Sequence, residues 1–244
     1  MRVKNRSNKR SYLGRRKETN YIKPIVIILS IILLIAVLYV GMRIVSIKNS
    51  DEFNMSKLSV YYLVSENVSD DSNMNNLGQA FNKLIIINGE KRVAHVINIP
   101  QNLFVFSKSV DASNTNPRDF AVFFAQTLGI KADYTYSIIL KREYLKKIGV
   151  KNADELIVNF GKRGLKLIDY FTIRSEVESL RPDSVITEVA LAKLYAGLGR
   201  FNISQHEVPT LTKLPLKITV GGKTFVRIYA DEEKFNELKN ELEK

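Results

Sequence analysis

From Ile25 to Met42 the chain carries no charge, and only Ser30, Tyr39 and Gly41 interrupt a run of aliphatic residues. As a helix rising about 1.5 Å per residue, that run spans roughly 27 Å, close to one bilayer core. A secretory signal peptide has a shorter apolar region and a small-residue cleavage site. Here Arg43-Ile44-Val45-Ser46-Ile47-Lys48 follows instead. Residues 24–43 are therefore expected to form a transmembrane helix that stays in place as an anchor.

Charge gives the anchor a direction. Residues 1–23 hold nine Lys or Arg against Glu18 alone, which is +8 of the chain's +12. The positive-inside rule retains such a tail in the cytoplasm. The expected organisation is a basic cytoplasmic tail (1–23), a single-pass helix in the cytoplasmic (inner) membrane (24–43), a linker (44–57) and an extracytoplasmic domain (58–244). Because basicity is concentrated in the tail, no nucleic-acid partner is expected; the tail's partner is the anionic membrane surface. There is no cysteine. The outer domain must fold on its hydrophobic core, without disulfides, thiolate metal sites or a Cys nucleophile.

Within the domain, Leu58 to Val64 is rich in β-branched and aromatic residues and predicts a buried strand. A polar stretch from Ser65 to Asn76 reads as a loop. Leu84 to Ile87 and Arg92 to Ile99 flank Asn88-Gly89, a hairpin signal. Asn116-Pro117-Arg118-Asp119 opens a helix whose stripe is Phe120, Phe123, Phe124 and Leu128. Asp133 to Leu140 alternates as a strand, Arg142 to Ile148 is a short helix, and Asn152 with Glu155 opens another. Leu165 to Ile173 is read as a return to the sheet. Ser184 to Ala196 has helical spacing. Leu216 to Val220 and Phe225 to Tyr229 flank Gly221-Gly222 as a second hairpin before an amphipathic helix over 231–242. The expected fold class is α/β, layered α+β, with a central mixed sheet flanked by helices.

Isolated motifs for chemistry are few. His95 and His206 lie far apart in sequence, and neither has a second ligand at metal spacing, so no metal ligand is assigned. Gly161-Lys162-Arg163-Gly164 lacks the Lys-Ser/Thr of a phosphate loop and reads as a turn. No Gly-x-Ser-x-Gly elbow is present.

Several words in order do carry a resemblance. These are Leu63-Val64-Ser65-Glu66-Asn67 at the first strand's end, Asn98-Ile99-Pro100-Gln101-Asn102-Leu103-Phe104-Val105 after the hairpin, and Phe124 to Tyr134 from helix to strand. Gly221 to Glu233 closes the set. Together they resemble the LytR-CpsA-Psr (LCP) family, a cytoplasmic tail, one transmembrane helix and an outer α/β domain. The resemblance implies transfer of a phosphorylated glycopolymer from a polyprenyl-pyrophosphate carrier to the cell wall. Arginines would clamp the pyrophosphate, and carboxylates would hold a divalent metal or activate the acceptor.

Most of those charges are replaced. The family's Arg-Asp after the proline falls on Gln101 and Asn102, the acid after the first strand is Glu66, and the next Arg falls near Val68. The Arg-Ser-Asp before the second strand falls near Gly78-Gln79-Ala80. Tyr170-Phe171-Thr172-Ile173-Arg174 keeps one Arg, the helix near Ser184 to Glu188 keeps none, and Lys108 matches a family Lys. The candidate ligand- or phosphate-binding residues are thus Glu66, Gln101, Asn102, Lys108 and Arg174, with no catalytic residue assigned. Mg²⁺ is implied only if the family activity is retained.

The expected function is that of a membrane-anchored cell-envelope protein, an LCP-like relative with reduced or absent phosphotransferase activity. Its ligand would be a polyprenyl-linked lipid or a cell-wall glycan. The alternatives are an active phosphotransferase with rearranged residues and a bitopic scaffold of the envelope or division machinery. A long apolar tunnel between sheet and helices, with Gln101 and Arg174 at its mouth, would favour a lipid ligand.

Overall fold

The computed structural model describes residues 22–65 and 81–243. The basic tail up to residue 21 and the loop read after Ser65 lie outside them. The chain forms two compact units, 1–41 and 42–244.

The first unit contains most of helix α1 (Ile22–Lys48). Its segment Pro24–Lys48 is long and apolar enough to cross a membrane. Aliphatic side chains from Ile25 to Leu38 stand exposed all round the helix, which suits lipid and not water. The last turns of α1 belong to the second unit, where Ile44 and Ile47 pack into a core.

The second unit is a mixed α/β domain. Its main sheet contains β1 (Ser59–Ser65), β2 (Phe81–Asn88), β3 (Val93–Pro100), β6 (Tyr134–Leu140) and β7 (Asn202–Glu207), in the order β6-β1-β2-β3-β7. A smaller sheet joins β4 (Leu103–Val105), β5 (Val110–Asp111), β8 (Leu216–Val220) and β9 (Lys223–Tyr229), in the order β5-β4-β9-β8. The β1–β6 and β3–β7 pairs are parallel, whereas β2 is antiparallel to both its neighbours. Four strands of the main sheet therefore end at the same side, where β2 begins.

Strand β1 is central and must be apolar on both faces. Tyr61 and Leu63 pack on one side with Ile85 and Ile87, and Val60 and Tyr62 on the other with Leu84 and Ile86. Over the first face lie α3 (Arg142–Lys147), α4 (Ala153–Arg163), α5 (Asp169–Leu180) and α6 (Glu188–Arg200). Over the second lie α2 (Pro117–Thr127), α7 (Phe235–Leu242) and the small sheet. Between the first face and its helices, Phe160 stacks on Tyr195 with centroids 3.6 Å apart. Tyr195 donates to Glu176 at 2.8 Å and shares a 2.7 Å hydrogen bond with Tyr144. Burial and the nearby Glu176 carboxylate hold the Tyr144 phenol well above its ordinary range.

Local signals explain the helix starts. Asn116 accepts from the Arg118 amide at 3.0 Å ahead of Pro117, and Asn152 accepts from the Glu155 amide at 2.9 Å. One expectation fails: Leu165 to Ile173 does not return to the sheet but leads into α5. Its buried residues Tyr170, Ile173, Val177 and Leu180 recur at helical spacing. Leu167 and Ile168, which made the run look strand-like, are 65% and 61% exposed. Strand β7 was not read at all, because Asn202-Ile203-Ser204-Gln205-His206-Glu207 is a polar edge strand with little burial.

Residues 49–57 are held closely against the domain. Phe53 is buried, Tyr134 donates to Asp51 at 2.7 Å, and Tyr136 and Thr187 both donate to Glu52. Lys193, fully buried, donates to the carbonyls of Asn54 and Lys57, both at 2.7 Å. Burial lowers its ammonium to about 8, against the opposing pull of Asp133, Glu52 and Asp51.

Candidate functional site

The side of a sheet where parallel strands end is the usual place for a ligand in α/β domains, because loops there leave strand termini facing outward. In this domain that side gathers Ser65 from β1, Asn82 and Lys83 from β2, Asn98 from β3 and Gln101 just beyond it. The register sets Lys83 opposite Leu63 on one neighbour and Asn98 on the other.

Lys83 is the unexpected member. It shares the face of Ile85 and Ile87, its side chain is 6% exposed, and its ammonium donates to Asn98 Oδ1 at 2.7 Å. Asp154, in the first turn of α4, pairs with it at 2.7 Å. A buried ammonium needs such partners, since desolvation without compensation costs several kcal/mol. Sequence reading began this strand at Leu84 and missed Lys83. The available signal was a cation at an inward position of an apolar strand.

The amides around it divide their work. Asn82 is used internally: Oδ1 accepts from the Ser65 amide at 3.3 Å and Nδ2 donates to the Tyr62 hydroxyl at 2.8 Å. Burial pushes the Tyr62 phenol well above its ordinary range despite that bond. Gln101 donates through Nε2 to the Ser65 carbonyl at 3.3 Å. Those bonds leave Asn98 Nδ2 and Gln101 Oε1, a donor and an acceptor, at the strand ends. A second ion pair, Lys141 with Asp183, follows the end of β6.

The remaining candidates lie elsewhere or play other parts. Glu66 is outside the described residues, as are Asn67, Val68 and Gly78-Gln79-Ala80. The backbone carbonyl of Asn102 accepts from the Ile228 amide at 2.8 Å, tying the small sheet to the end of β3. Lys108 is exposed in the turn between β4 and β5, beside Phe120 and Phe123. Arg174 stands on α5 and pairs with Glu178 at 3.1 Å and Glu188 at 3.9 Å. Glu188 also holds Arg43 at 2.6 Å. Of the five residues singled out from sequence, only Gln101 is seen to engage this polar end through its side chain.

The donor set is a poor fit for Mg²⁺, which prefers carboxylate oxygens and water. The described groups here are amides and a lysine, and Asp154 is committed to Lys83. No cluster of three or more metal-ligating side chains occurs among the described residues. Around Lys83 the described side chains offer no arginine fork, and its ammonium is already paired with Asp154.

The fold is similar to that of LytR-CpsA-Psr proteins. The Lin1025 protein of Listeria innocua is 14% identical over 77% of this chain and 97% of that one, with a TM-score of 0.46. TagU of B. subtilis is 11% identical over 77% and 96%, with a TM-score of 0.45. The LytR-CPS2A-psr family protein YwtF (TagT), solved with bound octaprenyl pyrophosphate lipid, is 13% identical over 80% and 92%, with a TM-score of 0.43. No protein-family model and no curated protein sequence matches the chain.

The two histidines, far apart in sequence, are neighbours in the fold, with His95 Nδ1 3.1 Å from His206 Nε2 across β3 and β7. His206 Nδ1 lies 3.1 Å from Glu241. His206 Nε2 also lies 3.0 Å from Ser204 Oγ, so both ring nitrogens of His206 have partners within the protein. Their cavity lies at the opposite side of the sheet, where β1 begins.

Proposed function

We propose that this protein is anchored in the cytoplasmic membrane with its domain on the outer side, where it binds a cell-wall glycan, free or carried on a polyprenyl lipid, with reduced or absent phosphotransfer. The observation that carries the reading is the set of amides at the ends of β2 and β3, where Lys83 is paired with Asp154. Amide donors and acceptors match sugar hydroxyls, which are themselves both donors and acceptors. A pyrophosphate clamp instead requires several uncancelled cations, each hydrogen bond to a charged group contributing about 1.5–3 kcal/mol. Phe160, Tyr144 and Tyr195 pack together beneath the sheet, which supports taking the glycan as the part recognised. Gln101 and Asn98 are the assigned ligand contacts, and Glu66, next in sequence after Ser65, is a further one.

The test uses the full-length protein in nanodiscs, titrated calorimetrically with soluble cell-wall glycan fragments. Asn98→Ala and Gln101→Ala should each weaken binding about tenfold, the equivalent of one lost hydrogen bond of about 1.4 kcal/mol. Wild-type protein that binds no glycan, together with variants that fold but lose their cellular position, would instead support the scaffold reading.

A further inference from the structure

The turn Gly161-Lys162-Arg163-Gly164 leads into Leu167, Ile168 and Phe171, three large apolar side chains that stand in solvent at the start of α5. Phe171 is 48% exposed, and Leu167 and Ile168 are more so. Ile168 already has helical dihedrals as the residue before α5, so Phe171, three positions on, stands beside it. A single exposed aliphatic residue is ordinary, but three gathered on one short segment mark a contact surface.

The segment is fixed from beneath. Arg163 lies over the Phe160 ring at 4.3 Å, and its Nη1 donates to both oxygens of buried Asp169, at 2.8 and 3.0 Å. The Lys166 amide donates to the same carboxylate at 2.6 Å, and Tyr170 is buried in the core. Leu167 and Ile168 could not turn inward without breaking this network. Lys162 and Lys166 stand exposed beside them. The carboxylates on α5 and in the first turn of α6 are already engaged: Asp169, Glu178 and Glu188 pair with arginines, and Glu176 accepts from Thr172 and Tyr195. The patch is therefore apolar with a cationic edge.

Its place in the domain points to the occupant. Arg43 is the first charge after the apolar run, and so the side chain set to meet lipid headgroups; it belongs to the same compact unit as the patch. It binds Glu188 at 2.6 Å, and Arg174 approaches that carboxylate to 3.9 Å. Phe171 lies one helical turn before Arg174 on α5. From the fixed apolar turn, its lysine edge and this link to Arg43, we infer that Leu167, Ile168 and Phe171 dock the domain on the surface of the membrane that α1 crosses. They enter the headgroup boundary of anionic lipid, where Lys162 and Lys166 meet the phosphates. The inference rests on α1 as an anchor and not on glycan binding.

The chain has no tryptophan, so Phe171→Trp gives the full-length protein a single indole at the patch. It is reconstituted into vesicles of phosphatidylcholine and phosphatidylglycerol with dibrominated acyl chains, and floated on a density gradient. Floated protein should show blue-shifted emission that the bromolipid quenches. Leu214→Trp, at an exposed position before β8, should be neither shifted nor quenched. Adding Lys162→Glu and Lys166→Glu to Phe171→Trp should lower the docked-to-free ratio, read from the quenching, about tenfold or more. Molar salt should weaken docking in the same direction. If the charge-reversed variant fails to fold, molar salt and vesicles of phosphatidylcholine alone decide the role of charge. Floated Phe171→Trp with unshifted, unquenched emission overturns the contact, and equal quenching of Leu214→Trp overturns its assignment to this patch. Quenching that is the same in molar salt and without phosphatidylglycerol overturns anionic lipid as the partner. Protein that does not float overturns the anchor itself, and the contact with it.

Discussion

At the scale of single residues, two buried groups reveal how this domain treats charge. Lys83 donates to Asn98 and is paired with Asp154. His95 is held neutral instead: burial, His206 and Lys91 all oppose its protonation, lowering it from 6.5 to about 4. The unfolded chain therefore takes up this proton at higher pH than the folded one. Stability contributed by neutral His95 is complete above pH 6.5 and is lost as pH falls toward 4. Equilibrium denaturation of the full-length protein in detergent at pH 7, 5.5 and 4.5 should show a steeper acid loss for wild type than for His95→Leu. Identical slopes would mean that His95 takes its proton equally well folded and unfolded. None of this was visible in the sequence, where the histidines are separated by more than a hundred positions and the cavity between distant segments has no local signature.

At the scale of elements, local chemistry was readable wherever one short segment carried the whole instruction. Asn116-Pro117 caps α2, Gly221-Gly222 turns β8 into β9, and β6 alternates. Where tertiary packing decides, the reading failed. Residues near 170 are apolar enough for a strand, but their helical period is satisfied by α6 and α3, and β7 has no pattern because it is a polar edge strand beside β3. The polar end was half legible: Asn98 and Gln101 stood in a recognisable word, but Lys83 and Asp154 meet only through the packing of α4 on β2. One close contact tests how α4 packs on α6. A methyl group at Gly199 in α6 would lie 2.2 Å from the Gly164 Cα, backbone that cannot move aside, whereas one at Gly197 would meet the Ile87 side chain at 2.9 Å. Gly199→Ala should lower unfolding free energy by about 3 kcal/mol, at the upper end for overpacking, and Gly197→Ala by less because a side chain can turn. Denaturant titration ranks them, and an equal effect would contradict the close α4–α6 approach.

At the scale of the whole molecule, the helix long enough to cross a membrane and the domain that follows it define where any ligand is met. The basic tail sets the proposed direction, since the first 23 residues hold most of the net charge. The chain has no native thiol, so Leu214→Cys, at an exposed position before β8, provides a single label. An impermeant maleimide should modify it in intact cells; modification only after lysis would reverse the orientation.

The reading of the domain as a glycan binder with little or no phosphotransfer is tested most directly by native mass spectrometry. Full-length protein in nanodiscs is incubated with a polyprenyl-pyrophosphate-linked glycan, Mg²⁺ and acceptor wall fragments. The expected spectrum keeps the glycan adduct intact, loses it in the Asn98→Ala, Gln101→Ala double variant, and contains no released polyprenyl phosphate. Release of polyprenyl phosphate together with glycan-bearing acceptor would contradict the reading and make the protein an active transferase.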